Sequence, residues 1–148
     1  MIIRQANIRD IPSLIELLKE LFSLERDFEF NPEKQKKGLN LLIARFVANA
    51  CALVAEDKGR CIGMVTAQIF VSTVEGKKSA LIEDMVIRKG YQGRGIGSKL
   101  LCAIESRCKA GGVSRMQLLA DKNNLPALSF YKKRGWQPTQ LVGYCKYI

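Results

Sequence analysis

A chain of 148 residues, 47% hydrophobic and 26% charged, has the size and balance of one soluble folding unit that fills its own core without metals or disulfides, so residues 1–148 read as a single domain. No apolar run approaches the roughly 18 residues of a membrane-spanning helix. The start Met1-Ile2-Ile3-Arg4 lacks the basic-then-apolar pattern of a secretory signal, so a cytoplasmic protein without a membrane partner is expected.

The net charge is +10 with no histidine, which excludes every Ser-His or Cys-His catalytic arrangement and leaves Glu, Asp, Tyr, Cys or Lys for proton chemistry. Residues 1–76 hold 10 Lys+Arg and 10 Asp+Glu, whereas 77–148 hold 14 and 4, so the whole positive excess lies in the second half. A polyanion should dock there. The five cysteines, Cys51, Cys61, Cys102, Cys108 and Cys145, form no C-x-x-C pair and are expected as buried reduced thiols, with no metal site.

In chain order, Ile2 to Ala6 predicts a strand, and Asp10 with Pro12 predicts a cap and first turn for a helix whose apolar face is Leu14, Ile15, Leu18, Leu21 and Phe22. Asn31-Pro32 starts a second helix, with Leu39, Leu42, Ile43, Phe46 and Val47 on its buried side. Cys51 to Glu56 and Cys61 to Val71 read as strands joined by the hairpin turn Asp57-Lys58-Gly59, and Glu75-Gly76 turns the chain into a strand Ser79 to Ile87. From Gly95 the period changes to that of a helix, with Ile96, Leu100, Leu101, Ile104 and Cys108 on one face and Gly111-Gly112 as its stop. Met116 to Ala120 is of strand length, Leu125 to Arg134 is a helix stopped at Gly135, and Leu141 to Ile148 reads as a terminal strand. Strands that pair through hairpins and then alternate with helices imply an α+β or mixed α/β sheet covered by helices.

The segment most specific for function is a strand followed by Gln92-Gly93-Arg94-Gly95-Ile96-Gly97-Ser98 and a helix. Glycines at such a junction let backbone N–H groups approach phosphate oxygens at the positive end of a helix dipole. The plainer alternative is a tight connection whose glycines serve only the turn. A dinucleotide fingerprint would need glycine where Ser98 stands, and no P-loop is present, so neither NAD nor a nucleoside triphosphate is favoured.

Gln92, Gly95 and Gly97 satisfy the pattern Q/R-x-x-G-x-G/A, and the apolar triplet Met85-Val86-Ile87 precedes it. Asn124 stands seven residues before Tyr131, and Gly135-Trp136 ends the segment that follows. In this order the features resemble the GNAT superfamily of acyl-CoA-dependent N-acetyltransferases over nearly the whole chain. The resemblance implies a mixed, mostly antiparallel twisted sheet covered by about four helices, with a splayed strand pair forming the acyl-CoA slot. It further implies that acetyl-CoA's pantetheine arm lies along Met85, Val86 and Ile87, with a backbone N–H of Met85 or Val86 polarising the thioester carbonyl. Its pyrophosphate would sit on Gln92, Gly93, Arg94, Gly95, Ile96, Gly97 and Ser98, with Asn124 bonding the pantetheine or capping a helix.

Leu/Ile-Glu-Asp on this strand is similar to diamine and glucosamine-phosphate N-acetyltransferases, which implies Glu83 as general base, with a lysine-paired surface carboxylate as the alternative. Strand alternation predicts that Glu83 and Asp84 point to opposite faces. Tyr131 is the implied acid for the departing thiolate, because a phenol near ~10 can protonate a thiolate whose acid lies near ~8.5; a core aromatic is the alternative. Glu83 and Asp84, together with Asp27 and Glu29 in the run Glu25 to Phe30, are candidate contacts for the acceptor, a small-molecule amine or a protein amino group. A solvated charged turn whose phenylalanines cap the core is the plainer reading of Asp27 and Glu29. A non-catalytic acyl-CoA sensor is the rival reading, and a nucleic-acid partner is not expected, since no stacked aromatic array accompanies the basic residues. The terminal strand offers an edge for a homodimer.

Overall fold

Five strands in the spatial order β1-β2-β3-β4-β5 make one open sheet. They are β1 Ile2–Gln5, β2 Ala50–Asp57, β3 Arg60–Ser72, β4 Lys77–Ile87 and β5 Val113–Leu118, and the helices are α1 Ile11–Phe22, α2 Pro32–Ile43, α3 Ile96–Ala110 and α4 Leu125–Lys132. This computed structural model describes residues 1–25, 27–43 and 49–148, so Phe46 and Val47, expected on the second helix, lie outside the described residues. Residues Met1–Gln117 form one unit and Leu118–Ile148 a second, each described by itself.

β1 through β4 pair antiparallel in sequence. Lys58 and Gly59, at φ 49° and 76°, form the two-residue turn between β2 and β3, the left-handed pair whose twist matches a hairpin. β4 and β5 are joined by the α3 crossover, and side chains tie them where both begin: Ser114 Oγ lies 3.5 Å from the Lys78 carbonyl, and Lys78 Nζ donates to the Gly111 carbonyl at 3.3 Å.

The sheet is covered on both faces. Leu14, Leu17 and Leu18 of α1 and Leu39 of α2 share a buried cluster with Ala52, Val54, Met64 and Val86. On the other face α3 buries Leu100, Leu101, Ile104 and Cys108. At Gly63 β4 and α3 both crowd β3, since a Cβ there would meet Ile87 Cδ1 at 2.7 Å, Leu100 Cδ1 at 3.1 Å and the Val86 carbonyl at 3.1 Å.

Four expectations change. Asp10 precedes α1 but makes no side-chain cap to it; its carboxylate turns back to the Asn7 N–H and to Arg4, closing the short 3-10 turn Ile8–Asp10. β5 begins at Val113, three residues before the expected Met116, because Gly111-Gly112 ends α3 and the chain extends at once. Residues 137–148 contain no strand and are exposed: Leu141, Val142 and Tyr144 alternate no buried face with a polar one, and a strand persists only where its backbone groups find partners. Cys51, Cys61 and Cys108 are buried as expected, whereas Cys102 and Cys145 are exposed; all five are free thiols.

Candidate active site

The register of β3 against β4 slips in one place. Met64 faces Val86 and Thr66 faces Glu83, so two steps on β3 span three on β4, and β4 carries one extra residue. Asp84 absorbs the slip, with φ at 49°, a left-handed conformation that aspartate tolerates better than most side chains.

The bulge corrects the expectation that Glu83 and Asp84 point to opposite faces. Thr66 Oγ1 donates to Asp84 Oδ2 at 3.1 Å, and Gln68 Nε2 donates to Glu83 Oε2 at 2.7 Å. Thr66 and Gln68 are two apart on β3 and share a face, so both carboxylates are held on that face. Their environments still differ. Glu83 is exposed, while Asp84 is half-buried and beside it. Loss of solvent pushes the Asp84 carboxyl up to about 6; the Thr66 hydroxyl opposes the rise and the Glu83 charge adds to it.

Beyond the bulge, Val86 is buried toward α1 and Ile87 lies against Gly63 and α3. The strand then enters the glycine turn. Gly93 and Gly95 have φ of 75° and 76°, and nothing stands within 4 Å of where a Cβ would be on either, so the turn is open where an anion would approach. Gly95 is the N-cap residue of α3 and buried Ile96 anchors the first turn, leaving the N–H end of a 15-residue helix at the exposed turn. This donor set fits a pyrophosphate.

Gln92, expected at the phosphates, donates from Nε2 to the Ile87 carbonyl at 3.0 Å and thereby closes the turn. The Arg94 guanidinium lies over the Tyr91 ring, 5.3 Å from its centroid, which holds that charge beside the turn. Glu20 of α1 accepts from the Lys89 N–H at 2.8 Å and from Arg88 at 3.4 Å, fixing the start of the loop from outside the motif. Glu20, Thr66 and Gln68 carry no local sequence signal; only the strand register brings the last two to the carboxylates.

Asp27 and Glu29 are exposed on the connection from α1 to α2. Phe28 packs on Phe22 at 5.8 Å between ring centroids, and Lys19 lies 6.0 Å from the Phe30 ring centroid, so both rings have partners within this connection and α1. In the second unit Asn124 caps α4, its Oδ1 accepting from the Ala127 N–H at 3.1 Å. Tyr131 is half-buried on the same helix, edge-on to Phe130 at 5.3 Å and 6.0 Å from Trp136, while Arg134 covers Phe130 at 3.9 Å. A separate open groove lined by Glu105, Lys109, Ser114 and Arg115 lies toward the other end of α3 from the glycine turn. Among the described residues no group of side chains is arranged to hold a metal ion, and no helix is long and apolar enough to cross a membrane.

The model of the Acetyltransferase (GNAT) family matches residues 12–136. The chain is 26% identical over 148 residues to the uncharacterized N-acetyltransferase YhfO of Bacillus subtilis, covering 98% of this chain and 96% of that protein. It is 23% identical to the thialysine N-epsilon-acetyltransferase of Sus scrofa, covering 91% and 83%. Among solved structures, an aminoglycoside acetyltransferase from an uncultured soil metagenomic sample, in complex with sisomicin, superposes with a TM-score of 0.76 over 99% of this chain and 95% of that one. At 23% identity that likeness concerns the fold alone.

Proposed function

The chain belongs to the GNAT acetyltransferase family and is an acetyl-CoA-using N-acetyltransferase, and from that premise we propose that it moves the acetyl group directly from the thioester to the primary amine of an alkylamine. The observation that carries this reading is the β4 bulge, which sets Glu83 and Asp84 on one face of the strand that runs into the glycine turn. The open turn at Gly93 to Gly95 takes the pyrophosphate, and Arg94 adds charge beside it. Met85, Val86 and Ile87 carry the pantetheine arm, with a backbone N–H at Met85 or Val86 for the carbonyl oxygen.

An amine attacks only when its nitrogen is neutral, and the β4 carboxylates supply a base for that step, Glu83 being the one the family resemblance implies. Tyr131 protonates the departing thiolate. The acceptor is a cation with an apolar stem, which suits Asp27, Glu29 and the phenylalanines of the same connection. The name of the thialysine acetyltransferase relative, whose acceptor is an ε-amine, supports an alkylamine.

A thermal-shift screen of amines in the presence of acetyl-CoA tests this function. Acetyl-CoA alone should raise the melting temperature with the logarithm of its concentration, while NAD and ATP at equal concentration should not. Equal shifts for all three would reduce the turn to a general anion patch. Tyr131→Phe should keep acetyl-CoA affinity and lower turnover by about 10²–10⁴-fold; a loss below tenfold removes the phenol from the proton path.

A further inference from the structure

Resting on that reading, we infer that Asp84, held in its left-handed bulge by Thr66, is the group that takes the proton from the acceptor amine, and that Glu83, held by Gln68, binds and orients the ammonium beside it.

The bulge and the partners of each side chain separate the two carboxylates. Asp84 is the extra residue of the bulge, so its backbone departs from the pleat at the point where β4 passes into Met85 and Val86. A non-glycine residue at φ 49° is unfavourable, and such a conformation persists where surrounding contacts enforce it. Thr66, 1% exposed, supplies that contact with a single hydroxyl donor. Glu83 is exposed and held in place by the Gln68 carboxamide, an arrangement that presents its carboxyl group at the surface.

The proton affinities follow the geometry. Asp84, with its carboxyl pushed up to about 6, is poised to take a proton near neutrality. The charged group that faces it is Glu83. Of the elements packed around β4, β3 presents neutral Thr66 and Gln68, α1 has Glu20 engaged with Arg88 and the Lys89 N–H and Lys19 over Phe30, and β5 has Arg115 paired with Glu75 at 3.2 Å. α3 covers the opposite face.

In the reaction the ammonium gives one proton to an Asp84 oxygen, from which it passes to solvent. The freed lone pair forms the C–N bond to the thioester carbonyl carbon and the C–S bond breaks. The nitrogen gives up its second proton and the sulfur gains one through Tyr131, so each turnover releases amide, thiol and one net proton.

The test compares propane-1,3-diamine, protonated at neutral pH, with hydroxylamine, which is already neutral there and needs no base. Asp84→Asn tolerates the left-handed backbone as well as aspartate does. It should lower kcat/KM for the diamine by about 10²–10⁴-fold, remove the acid limb of its pH profile and lower the enzyme-dependent acetylation of hydroxylamine, read above the uncatalysed reaction, far less. Glu83→Gln should instead raise the KM for the diamine with the acid limb intact. Thr66→Val should move that limb to higher pH, because the lost hydroxyl bond favoured the carboxylate, and Thr66→Ser should restore it. Equal loss with both acceptors in Asp84→Asn, or loss of the limb in Glu83→Gln, overturns the assignment. A carbon-13 titration of the wild-type Asp84 carboxyl decides the point without an acceptor: its midpoint should lie at about 6, and a midpoint of ~4 overturns the assignment. Wild-type protein that binds acetyl-CoA but acetylates neither amine overturns the proposed transfer, a different result from an active wild type with an unaffected Asp84→Asn.

Discussion

Asp10 and Asp84 stand in opposite electrostatic settings. Asp10, 7% exposed, accepts from Arg4 Nη1 and Nη2 at 2.8 Å each and from the Asn7 N–H at 2.8 Å. The Arg4 hydrogen bonds hold its carboxyl below the usual range, against the desolvation that would raise it. A depressed carboxylate contributes stability above its unfolded pKa of ~3.9 and loses it as pH falls through the folded value. Asp84 is raised to about 6, so the folded state binds the extra proton between ~4 and about 6, and stability falls as pH rises through that window. Asp10→Asn should therefore lower the melting temperature at pH 7, by a loss of about 1.5–3 kcal/mol because Arg4 loses its two-pronged partner and keeps only Glu56, with the deficit closing in acid. Asp84→Asn should hold or raise it at pH 8 and lose that advantage near pH 4. Calorimetry of both variants across pH checks the signs. The run Glu83-Asp84 marked the candidate site in sequence, yet its shared face did not show there, because a bulge is a register event between strands 18 residues apart at the Thr66–Asp84 bond.

Elements are where the sequence was most legible, since apolar period and turn residues are local. β1 to β4 and α3 begin and end close to their apolar runs, and Asn31 caps α2 from Oδ1 to the Glu33 and Lys34 N–H groups, each at 3.1 Å. No strand forms over Leu141 to Ile148, because a short apolar segment carries no record of whether a neighbour will pair with it. Gly63 looks unremarkable in an apolar run, but α3 and β4 meet over it. Gly63→Ala should cost about 1–3 kcal/mol, since the Val86 carbonyl cannot retreat as freely as the Ile87 and Leu100 tips, and it should weaken acetyl-CoA binding through the displaced strand. Denaturant unfolding with a binding isotherm on the same variant measures both. Gly95→Ala meets no atom, so a free turn can relax away from φ 76° with little loss of fold, and restoring that conformation against a strain of about 1–2 kcal/mol should make acetyl-CoA binding roughly tenfold weaker.

Across the whole molecule the charge is divided in a way no single site explains. Residues 1–76 are balanced, and the surplus of 10 positive charges falls in 77–148, with Lys89, Arg94 and Lys99 in and around the glycine turn. Acetyl-CoA carries its negative charge on the pyrophosphate and the 3′-phosphate, so an asymmetric field of this kind draws it to one half of the chain and strengthens binding at low salt. Because these side chains are exposed, their contribution should fade as the screening length shortens from ~30 Å at 0.01 M to ~3 Å at 1 M salt. The dissociation constant for acetyl-CoA should accordingly rise steadily across that range. Arg94→Gln should weaken binding most at low salt and flatten the slope, while a triple Lys34, Lys36 and Lys37→Gln variant, which removes more charge from α2 in the balanced half, should leave the slope as it is. Titration calorimetry at several salt concentrations reads the comparison directly. If the α2 triple variant flattens the slope as much as Arg94→Gln does, net charge alone attracts the ligand and Arg94 has no privileged place beside its phosphates.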